Sequence, residues 1–595
     1  MSVQLGYIAL CIVTGITLAL SCSAQAADPN KVLRVAIPDI DTFDPQQTID
    51  GYSTLVQRAI FEGLYEWDYL ARPSQLVPNT AALLPEIADD GKTWTIHLRP
   101  GIFFTDDPAF RGKRRELVAE DYIYSVKRSL DPNLRGGGDP PTTDAIVGAR
   151  EVVDAARQRG RKFDYDAPIE GLRALDRYTL QLRLIEPNYE LIEGDLINVL
   201  AVAREVVDAA QGNIQTRAVG TGPYRVKEWL RGTHVVLEAN PNYRVLSFPT
   251  SADPMNAELV RSMRGKQLPQ IGIVEISLIS EELPTLLEFE GGKLDYVQFI
   301  TDAALPLLSN GKLRSEYARR GVRYYAVPRS LTSFVFFNMD DPILGGLSLE
   351  HISLRRAIVL GFDTESLAKV VYRGLAVPAD QLVSPTVTGH DPEPPGKSLY
   401  DPATARALLD RVGYAKRDGD GFRTTPDGKP LVLTMLTRPQ RDTRDAEALW
   451  KKNMEAIGLR MQFRELPFQD MMKESAAGNY QLLHGMSCCD SPLGIDVLQL
   501  LYGKQTPDTN RSRFKLAEYD RAIEEYMRIP IGPAQIVPAR TMSQLALNYA
   551  PMVPTVVRLL NNFTQPWLLG FYPSETRVYW KYLDIDVERR KTTIK

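Results

Sequence analysis

Cysteine is the residue type that this chain has least of. The 595 residues include four cysteines, and two of them, Cys11 and Cys22, fall in an apolar amino-terminal segment. Only Cys488 and Cys489 lie in the rest of the chain, and two adjacent residues cannot join distant segments. A long-range disulfide framework is therefore excluded, and the protein must be stabilised by the large hydrophobic core that a chain of this length can bury.

The chain also lacks a large net charge and recognisable catalytic motifs. The net charge is −4, and the densest basic run, Arg111 to Arg115, is soon followed by Glu116 and Glu120, which is typical of a solvated loop. None of the five histidines has a partner at metal-binding spacing, and no nucleophile elbow or glycine-rich phosphate loop occurs. We therefore expect no nucleic-acid partner, no metal, no cofactor and no enzyme activity, with a secreted hydrolase as the alternative.

Long apolar runs are absent except at the amino terminus. Residues Ile8 to Leu20 are apolar apart from threonines and one cysteine, and Ala24-Gln25-Ala26 places small residues where signal peptidase cleaves. We expect residues 1–26 to be a signal peptide and the mature chain to be periplasmic, although Lys and Arg are missing before the apolar run. Ala19-Leu20-Ser21-Cys22 is a rival lipoprotein site that would place an acyl chain on Cys22. No later segment has the 18 uncharged apolar residues that a membrane span needs.

Helical and strand patterns alternate along the remaining chain. Alternation predicts strands at Val32 to Pro38 and Thr93 to Leu98, and helical spacing predicts helices ending at Asp131 and starting at Asp401-Pro402. This mixture indicates an α/β protein. Residues 133–166 are rich in Gly, Pro, Asp and Arg and are expected to form an exposed elaboration. Since no repeat or long linker separates the segments, we expect interleaved domains.

The segment from Val219 to Trp229 is the most informative motif. Gly220, Gly222 and Pro223 predict a tight loop, because glycine allows a positive φ and proline fixes its own φ. An alternating run from Tyr224 to Trp229 then predicts a half-buried strand.

This string resembles the signature of the periplasmic oligopeptide- and dipeptide-binding proteins of ABC importers, the family 5 solute receptors. Further segments between residues 32 and 460 resemble the same family in the family's own order. They are Thr42-Phe43-Asp44-Pro45, Phe61 to Glu66, Asp90 to Arg99, Val118 to Tyr122, Asn240 to Tyr243, Gly292 to Tyr296, Phe337-Asn338 and Leu354 to Ile358. Single matches of this kind are weak, whereas eight or more in order are strong.

The resemblance implies a type II-like, three-lobed periplasmic-binding-protein fold with two hinged lobes and an extra small domain. Lobe I would comprise residues 27–75, 195–333 and 556–595, lobe II residues 76–194, and lobe III residues 334–555. The resemblance also implies a monomeric receptor that captures a short peptide or a peptide-like compound. It would deliver this ligand to the membrane subunits of an ABC permease without performing chemistry.

Two acidic residues resemble ligand contacts of the family. Peptide-binding members often carry a Trp and an Asp before a proline-containing loop, and here the matching stretch runs from Gly485 to Pro492. Asp490 fits the acid that would pair with a ligand amino group, or it caps a loop beside Pro492. Asp50 resembles a second acid of the cleft. Because the Trp is absent, a non-peptide solute such as an opine, a glycan or a metal chelate remains open.

Cys488 and Cys489 lie in the same stretch, and together with Ser487 they are predicted to contact the ligand. The pair has three interpretations from its residues alone. The thiols pack a strand end, or they close a strained vicinal disulfide ring in an oxidising compartment, or they join His484 and Met486 in a soft-metal site.

Overall fold

The computed structural model of the chain describes residues 27–72, 74–135, 141–158, 161–194, 196–394, 400–488, 493–574 and 579–593. Its strands, in chain order, are Asp28–Ile37 (β1), Tyr65–Trp67 (β2), Leu76–Pro78 (β3), Glu86–Ala88 (β4), Thr93–His97 (β5), Leu172–Asp176 (β6), Thr179–Arg183 (β7), Tyr224–Leu230 (β8), His234–Ala239 (β9), Leu246–Ser247 (β10), Gln267–Leu268 (β11), Ile271–Leu278 (β12), Tyr296–Phe299 (β13), Leu308–Ser309 (β14), Lys312–Leu313 (β15), Arg323–Phe337 (β16), Ala376–Pro378 (β17), Val432–Thr437 (β18), Arg460–Glu465 (β19), Leu482–Cys488 (β20), Met552–Thr564 (β21), Leu568–Leu569 (β22) and Asp584–Ile585 (β23).

The α-helices lie between these strands, so the alternation that the sequence predicts is confirmed. They are Gly51–Ile60 (α1), Ala119–Leu130 (α2), Pro141–Ala145 (α3), Ala149–Arg157 (α4), Tyr189–Gly194 (α5), Arg204–Ala209 (α6), Ala257–Met263 (α7), Glu282–Glu290 (α8), Ser315–Arg319 (α9), Leu349–Leu360 (α10), Thr364–Ser366 (α11), Pro402–Arg411 (α12), Arg441–Ala456 (α13), Phe468–Ala477 (α14), Ile495–Leu498 (α15), Ala517–Arg528 (α16), Ile536–Tyr549 (α17) and Val587–Thr593 (α18).

The first and second lobes share one hydrophobic core. The sheet of the first lobe has the order β1-β12-β9-β8, with β1 and β12 parallel, and the sheet of the second lobe has the order β4-β5-β7-β6. Val35 of β1, Trp94 of β5 and Tyr122 of α2 are all buried in the common core. Strands β5 and β9 alternate buried and partly exposed side chains, as a sheet with one covered face requires.

The third lobe is built on the larger sheet, β13-β21-β16-β20-β18-β19. Strand β18 is parallel to both β19 and β20, and helices α13 and α14 make the crossovers between them. The sheet is covered on both faces, since the adjacent residues Leu482 and Leu483 are buried in two different cores. Such a sheet needs nearly continuous apolar strands.

Strands β16 and β21 connect the first lobe with the third. These two strands pair with each other in antiparallel orientation. Near Arg323, at one end of the pair, β21 also pairs with β13, and near Phe337, at the other end, β16 also pairs with β20. The register between β16 and β21 shifts between Pro328 and Thr332. The described chain enters the third lobe through β16 and leaves it through β21. A pair of strands with an interrupted ladder is the kind of connection around which two lobes can rotate.

The loop before β8 is tight for a different reason from the one that the sequence suggested. Neither Gly220 nor Gly222 has a positive φ. Instead, both lie against the end of α1, where the amide of Gly222 donates to the carbonyl of Ile60 over 2.8 Å. A Cβ atom would stand 2.1 Å from the Ile60 oxygen at residue 220 and 2.6 Å from it at residue 222. The glycines therefore permit a close approach of two backbones.

The predicted exposed elaboration at residues 133–166 is in part a packed segment. Helix α4 buries Val153 and Ala156 in the core shared by the first two lobes, and Phe163 joins them. The density of Gly, Pro and Asp obscured a short amphipathic helix whose apolar residues follow helical spacing. The prediction of exposure was therefore wrong for this part of the segment.

Candidate functional site

A cavity of about 440 Å³ lies on the first-lobe side of the connection between the lobes. Strands β1 and β12 are parallel, so their carboxyl ends reach the same edge of the sheet, and the residues that follow them form one wall. The hinge strands supply Arg329 and Leu560 to the same cavity. Ligands of open α/β sheets bind at the carboxyl ends of parallel strands, which makes this cavity the first candidate for a binding site.

The other residues that line the cavity have both apolar and polar side chains, as in a site for an amphiphilic solute. They include Ile37, Tyr52, Leu55, Glu281, Glu282, Thr285, Gln298, Phe299 and Thr301.

Asp50 lies beside this cavity as the N-cap of α1. One carboxylate oxygen accepts from the backbone amides of Tyr52 and Ser53, at 3.0 and 2.8 Å. The other oxygen is buried and has no hydrogen-bond partner among the described residues. Asp50 thus has a structural role in the helix start. Its assignment as a ligand contact stays a prediction.

A second cavity of about 450 Å³ adjoins the first and shares Pro38 and Tyr52 with it. Asp50 lines this second cavity together with Trp229, the last aromatic residue of the signature segment. The guanidinium of Arg231 lies 4.6 Å from the centre of the Trp229 ring, a cation–π contact. The sequence predicted a strand here but gave no signal that its end reaches the cleft.

In the third lobe, the parallel strands β18, β19 and β20 bring their carboxyl ends to the same edge of the sheet. Arg438 follows β18, and Phe468, the first residue of α14, follows β19; its side chain is 49% exposed. The Arg438 guanidinium lies 5.8 Å from the centre of the Phe468 ring. An exposed aromatic ring beside a cation can stack on a planar or apolar part of a ligand.

Strand β20 contains two of the residues that the sequence predicts as ligand contacts, and it pairs with the hinge strand β16. The backbones of Ser487 and Cys488 pair with Ser333 and Thr332 of the hinge strand β16. Cys489 and Asp490 lie outside the described residues, so their predicted roles, like the alternatives for the cysteine pair, stay predictions. The structure does bring Ser487 and Cys488 to the edge of the sheet where a ligand would be expected.

His484 is a buried residue of β20 that the sequence singled out only as a neighbour of the cysteines. Its side chain lies opposite Val335 of β16, and the residue is 8% exposed. Burial lowers the pKa of His484 to about 4, Asp442 raises that pKa, and Arg438 lowers it. The imidazole is therefore neutral at pH 7 and can both donate and accept a hydrogen bond.

The described residues contain no group of three or more His, Cys, Asp and Glu side chains placed to hold a metal ion. Within the same part of the chain, no helix is long and apolar enough to cross a membrane.

Comparison with known proteins gives consistent relatives. The family model described as bacterial extracellular solute-binding proteins, family 5 Middle, matches residues 75–508. The periplasmic oligopeptide-binding protein OppA of Escherichia coli is 22% identical over 588 residues, which cover 96% of this chain and 95% of that protein. Heme-binding protein A of Haemophilus influenzae is 20% identical over 500 residues, which cover 83% of this chain and 79% of that protein.

A solved structure has the same fold. It is the periplasmic murein tripeptide-binding protein MppA in its unliganded open form, with a TM-score of 0.70 and 20% sequence identity. The alignment covers 94% of this chain and 98% of MppA. The three lobes described above are thus those of a hinged periplasmic-binding-protein fold.

Proposed function

Because the chain belongs to the bacterial extracellular solute-binding proteins of family 5, we propose that it captures a short peptide or a peptide-like compound and delivers it to an ABC permease. The protein acts as an extracytoplasmic receptor and performs no chemistry on its ligand. The observation that carries this proposal is the cavity of about 440 Å³ beside two strands that connect hinged lobes. Closure of such lobes around a ligand converts binding into a change of shape that a partner can recognise.

The side chains proposed as contacts in the first and third lobes suit a ligand with groups of both charge signs. A peptide presents an ammonium group and a carboxylate group at its ends. Asp490 of the third lobe and Asp50 of the first lobe are the proposed acidic contacts, and Arg438 supplies a cation close to neutral His484. Ser487, Cys488 and Cys489 complete the proposed third-lobe contacts, and Phe468 offers an aromatic surface.

A non-peptide solute is the second candidate. Two observations are consistent with it: a relative over most of the chain is named for haem, and the tryptophan that often accompanies the family's acid is missing near Asp490. An opine, a glycan or a metal chelate would use the same cleft. A secreted hydrolase is the remaining alternative and has the least support.

The proposed location is the periplasm. Residues 1–26 would direct export and be removed, with a lipid on Cys22 as the alternative. The mature protein would be a monomer that meets the membrane subunits of its permease. The proposed lobe boundaries are residues 27–75, 195–333 and 556–595 for lobe I, 76–194 for lobe II, and 334–555 for lobe III.

Mass spectrometry of the small molecules that copurify with the periplasmic protein tests the ligand class. We expect short peptides, and addition of the identified peptide should reduce the radius of gyration measured by small-angle X-ray scattering. Recovery of a porphyrin, a sugar or a metal chelate instead would replace the peptide by the second candidate. Product formation from a bound compound would overturn the receptor function.

A further inference from the structure

The cavity of about 440 Å³ has a first-lobe wall, formed by β13 and by the segments that follow β12 and β13. The hydroxyl groups of this wall donate their hydrogens to the protein itself. Thr285 donates to the Glu281 carbonyl over 3.0 Å, and Thr301 donates to a carboxylate of the same wall. Ser280 makes a longer contact of this kind, 3.4 Å from the Pro38 carbonyl. These oxygens therefore present lone pairs to a ligand.

Gln298 of β13 lines the same wall, and its amide orientation is set by Asn562 of the hinge strand β21. Asn562 is buried, and its Nδ2 donates to the carbonyls of Leu560 at 3.1 Å and Tyr325 at 3.3 Å. Because carbonyls only accept, the Asn562 oxygen must face Gln298, whose Nε2 donates to it over 2.7 Å. No described residue donates to Gln298 Oε1, so this oxygen is available to a ligand.

Two carboxylates add negative charge to this wall. Glu281 and Glu282 lie at the start of α8 and line the cavity. Neither pairs with a Lys, Arg or His side chain in the described part of the chain. Among the described lining residues the one cation is Arg329, which stands on the hinge strand β16. A wall of acceptors with two negative charges favours a ligand group that donates hydrogen bonds and is positively charged.

We propose that the first-lobe wall binds a cationic amine carried by a side chain of the ligand, as in a peptide that contains lysine. The inference rests on the proposed receptor function and narrows its ligand class. An ammonium group has three donors and no acceptor, so it matches a wall of acceptors. Leu55 and Phe299 of the same cavity offer apolar surface to the methylene groups of such a side chain. The amino terminus of the peptide remains the proposed partner of Asp490.

A tripeptide library tests this inference by calorimetric titration. Each position of trialanine is replaced in turn by lysine and by norleucine, which has the same carbon chain without the amine. We expect lysine to bind about 10- to 100-fold more tightly than norleucine at one position, the factor for hydrogen bonds to a charged group. Equal affinities at all three positions would overturn the inference and leave the receptor function standing. Absence of binding by every tripeptide would overturn the proposed function, and this inference with it.

The double variant Glu281→Gln, Glu282→Gln identifies the wall as the site. Glutamine keeps the size of each side chain and an oxygen that accepts from Thr301, but it removes the charge. We expect the lysine-to-norleucine affinity ratio to fall close to 1 while the norleucine affinity stays unchanged. Acidic residues at a helix start also stabilise the helix through its dipole. That role alone predicts a lower melting temperature and an unchanged ratio, which would overturn the inference.

Glu288→Gln is the matched control, because Glu288 lies on the same helix, pairs with Lys293 at 2.9 Å and is not among the residues that line the cavity. It should keep the wild-type ratio. Asp50→Asn tests the adjoining cavity in the same way. Loss of the ratio in Asp50→Asn, together with its retention in the double variant, would place the amine in that cavity and overturn the assignment to the first-lobe wall.

Discussion

Asp490 is the residue whose replacement should change affinity most, provided that the ligand has a free amino group. Truncating one partner of a buried, hydrogen-bonded charge pair costs roughly 2–5 kcal/mol, or about 30- to several-thousand-fold in affinity. We expect Asp490→Ala to weaken binding by that amount and to leave unliganded unfolding cooperative. Calorimetric titration and thermal melting measure the two effects. Unchanged affinity with a small loss of stability would assign Asp490 to the loop cap.

Asp50 has a structural role that can be separated from binding. Because it caps α1, Asp50→Ala should lower the free energy of unfolding by about 0.5–2 kcal/mol. Asparagine caps helices equally well, so Asp50→Asn should retain that stability while it removes the charge. A loss of affinity in Asp50→Asn, measured by titration, would identify a ligand contact. Wild-type affinity in both variants would leave Asp50 with the cap alone.

His484 should make stability depend on pH. Its pKa is about 4 in the folded protein and about 6.5 in an unfolded chain, so the unfolded state binds more protons between these values. The contribution to stability is complete above pH 6.5 and falls by about 3 kcal/mol as the pH drops towards 4. Denaturant unfolding of the wild type and His484→Gln at pH 7 and pH 4.5 should show a smaller loss in the variant.

The matched control for His484 is His97, whose side chain is 41% exposed at the edge of the second lobe. His97→Gln should keep the pH dependence of the wild type, because it replaces an exposed side chain and leaves the buried His484 in place. If His484→Gln and the wild type lose equal stability on acidification, the imidazole is not the group responsible.

The loop that precedes β8 is an element whose geometry leaves no room for a side chain. Gly220→Ala would place a Cβ atom 2.1 Å from the Ile60 carbonyl oxygen, so the loop or the end of α1 must shift. We expect a loss of about 1–3 kcal/mol in the free energy of unfolding, typical of overpacking. Gly419→Ala is the control, since no atom lies within 4 Å of its added Cβ. Equal denaturation midpoints for the two variants would contradict this interpretation.

Elements with a clear period were predictable from the sequence, and contacts between distant segments were not. Alternation predicted β1 and β5, and the Asp401-Pro402 pair predicted the start of α12, because these signals are local. The approach of Gly222 to Ile60 depends on two segments about 160 residues apart, which no local pattern encodes. The burial of His484 depends in the same way on how β20 packs beside β16.

At the scale of the whole molecule, the carboxyl terminus stabilises the first lobe through Asp295. This buried carboxylate accepts from the Trp567 indole over 2.6 Å and from the Arg34 amide over 2.7 Å, and it pairs with Arg590 of α18. Removing one partner of a buried pair typically costs 3–5 kcal/mol. We expect that loss in the denaturant-unfolding free energy of Arg590→Ala.

Lys591→Ala is the control for this prediction, because Lys591 forms an exposed pair with Glu588 at 2.8 Å on the same helix. It should change stability by less than about 1 kcal/mol. An equally small effect of Arg590→Ala would mean that α18 is dispensable for the first lobe.

The interleaving of the lobes was predictable because no linker separates the segments, and the resemblance supplied the number of lobes. The residue boundaries between lobes stay a prediction. The hydrogen bond that the Gln535 side chain donates to Glu190 over 2.6 Å had no signal in the sequence, since neither residue belongs to a motif and the two lie 345 residues apart. Specific long-range polar pairs of this kind follow from the assembled fold alone.

The shared core of the first two lobes also has a consequence for the order in which the molecule can be completed. Side chains near the end of the chain, including Trp567, Trp580 and Ile585, pack with Leu33 and Val35 from its beginning. Lys31 pairs with Asp584 over 2.6 Å. Completing this core therefore requires contacts between residues as far as 553 positions apart, and such distant pairings form slowly. During synthesis the sheet β1-β12-β9-β8 is complete before Trp567, Trp580 and Ile585 are made, so the core around this sheet stays incomplete until that later segment emerges.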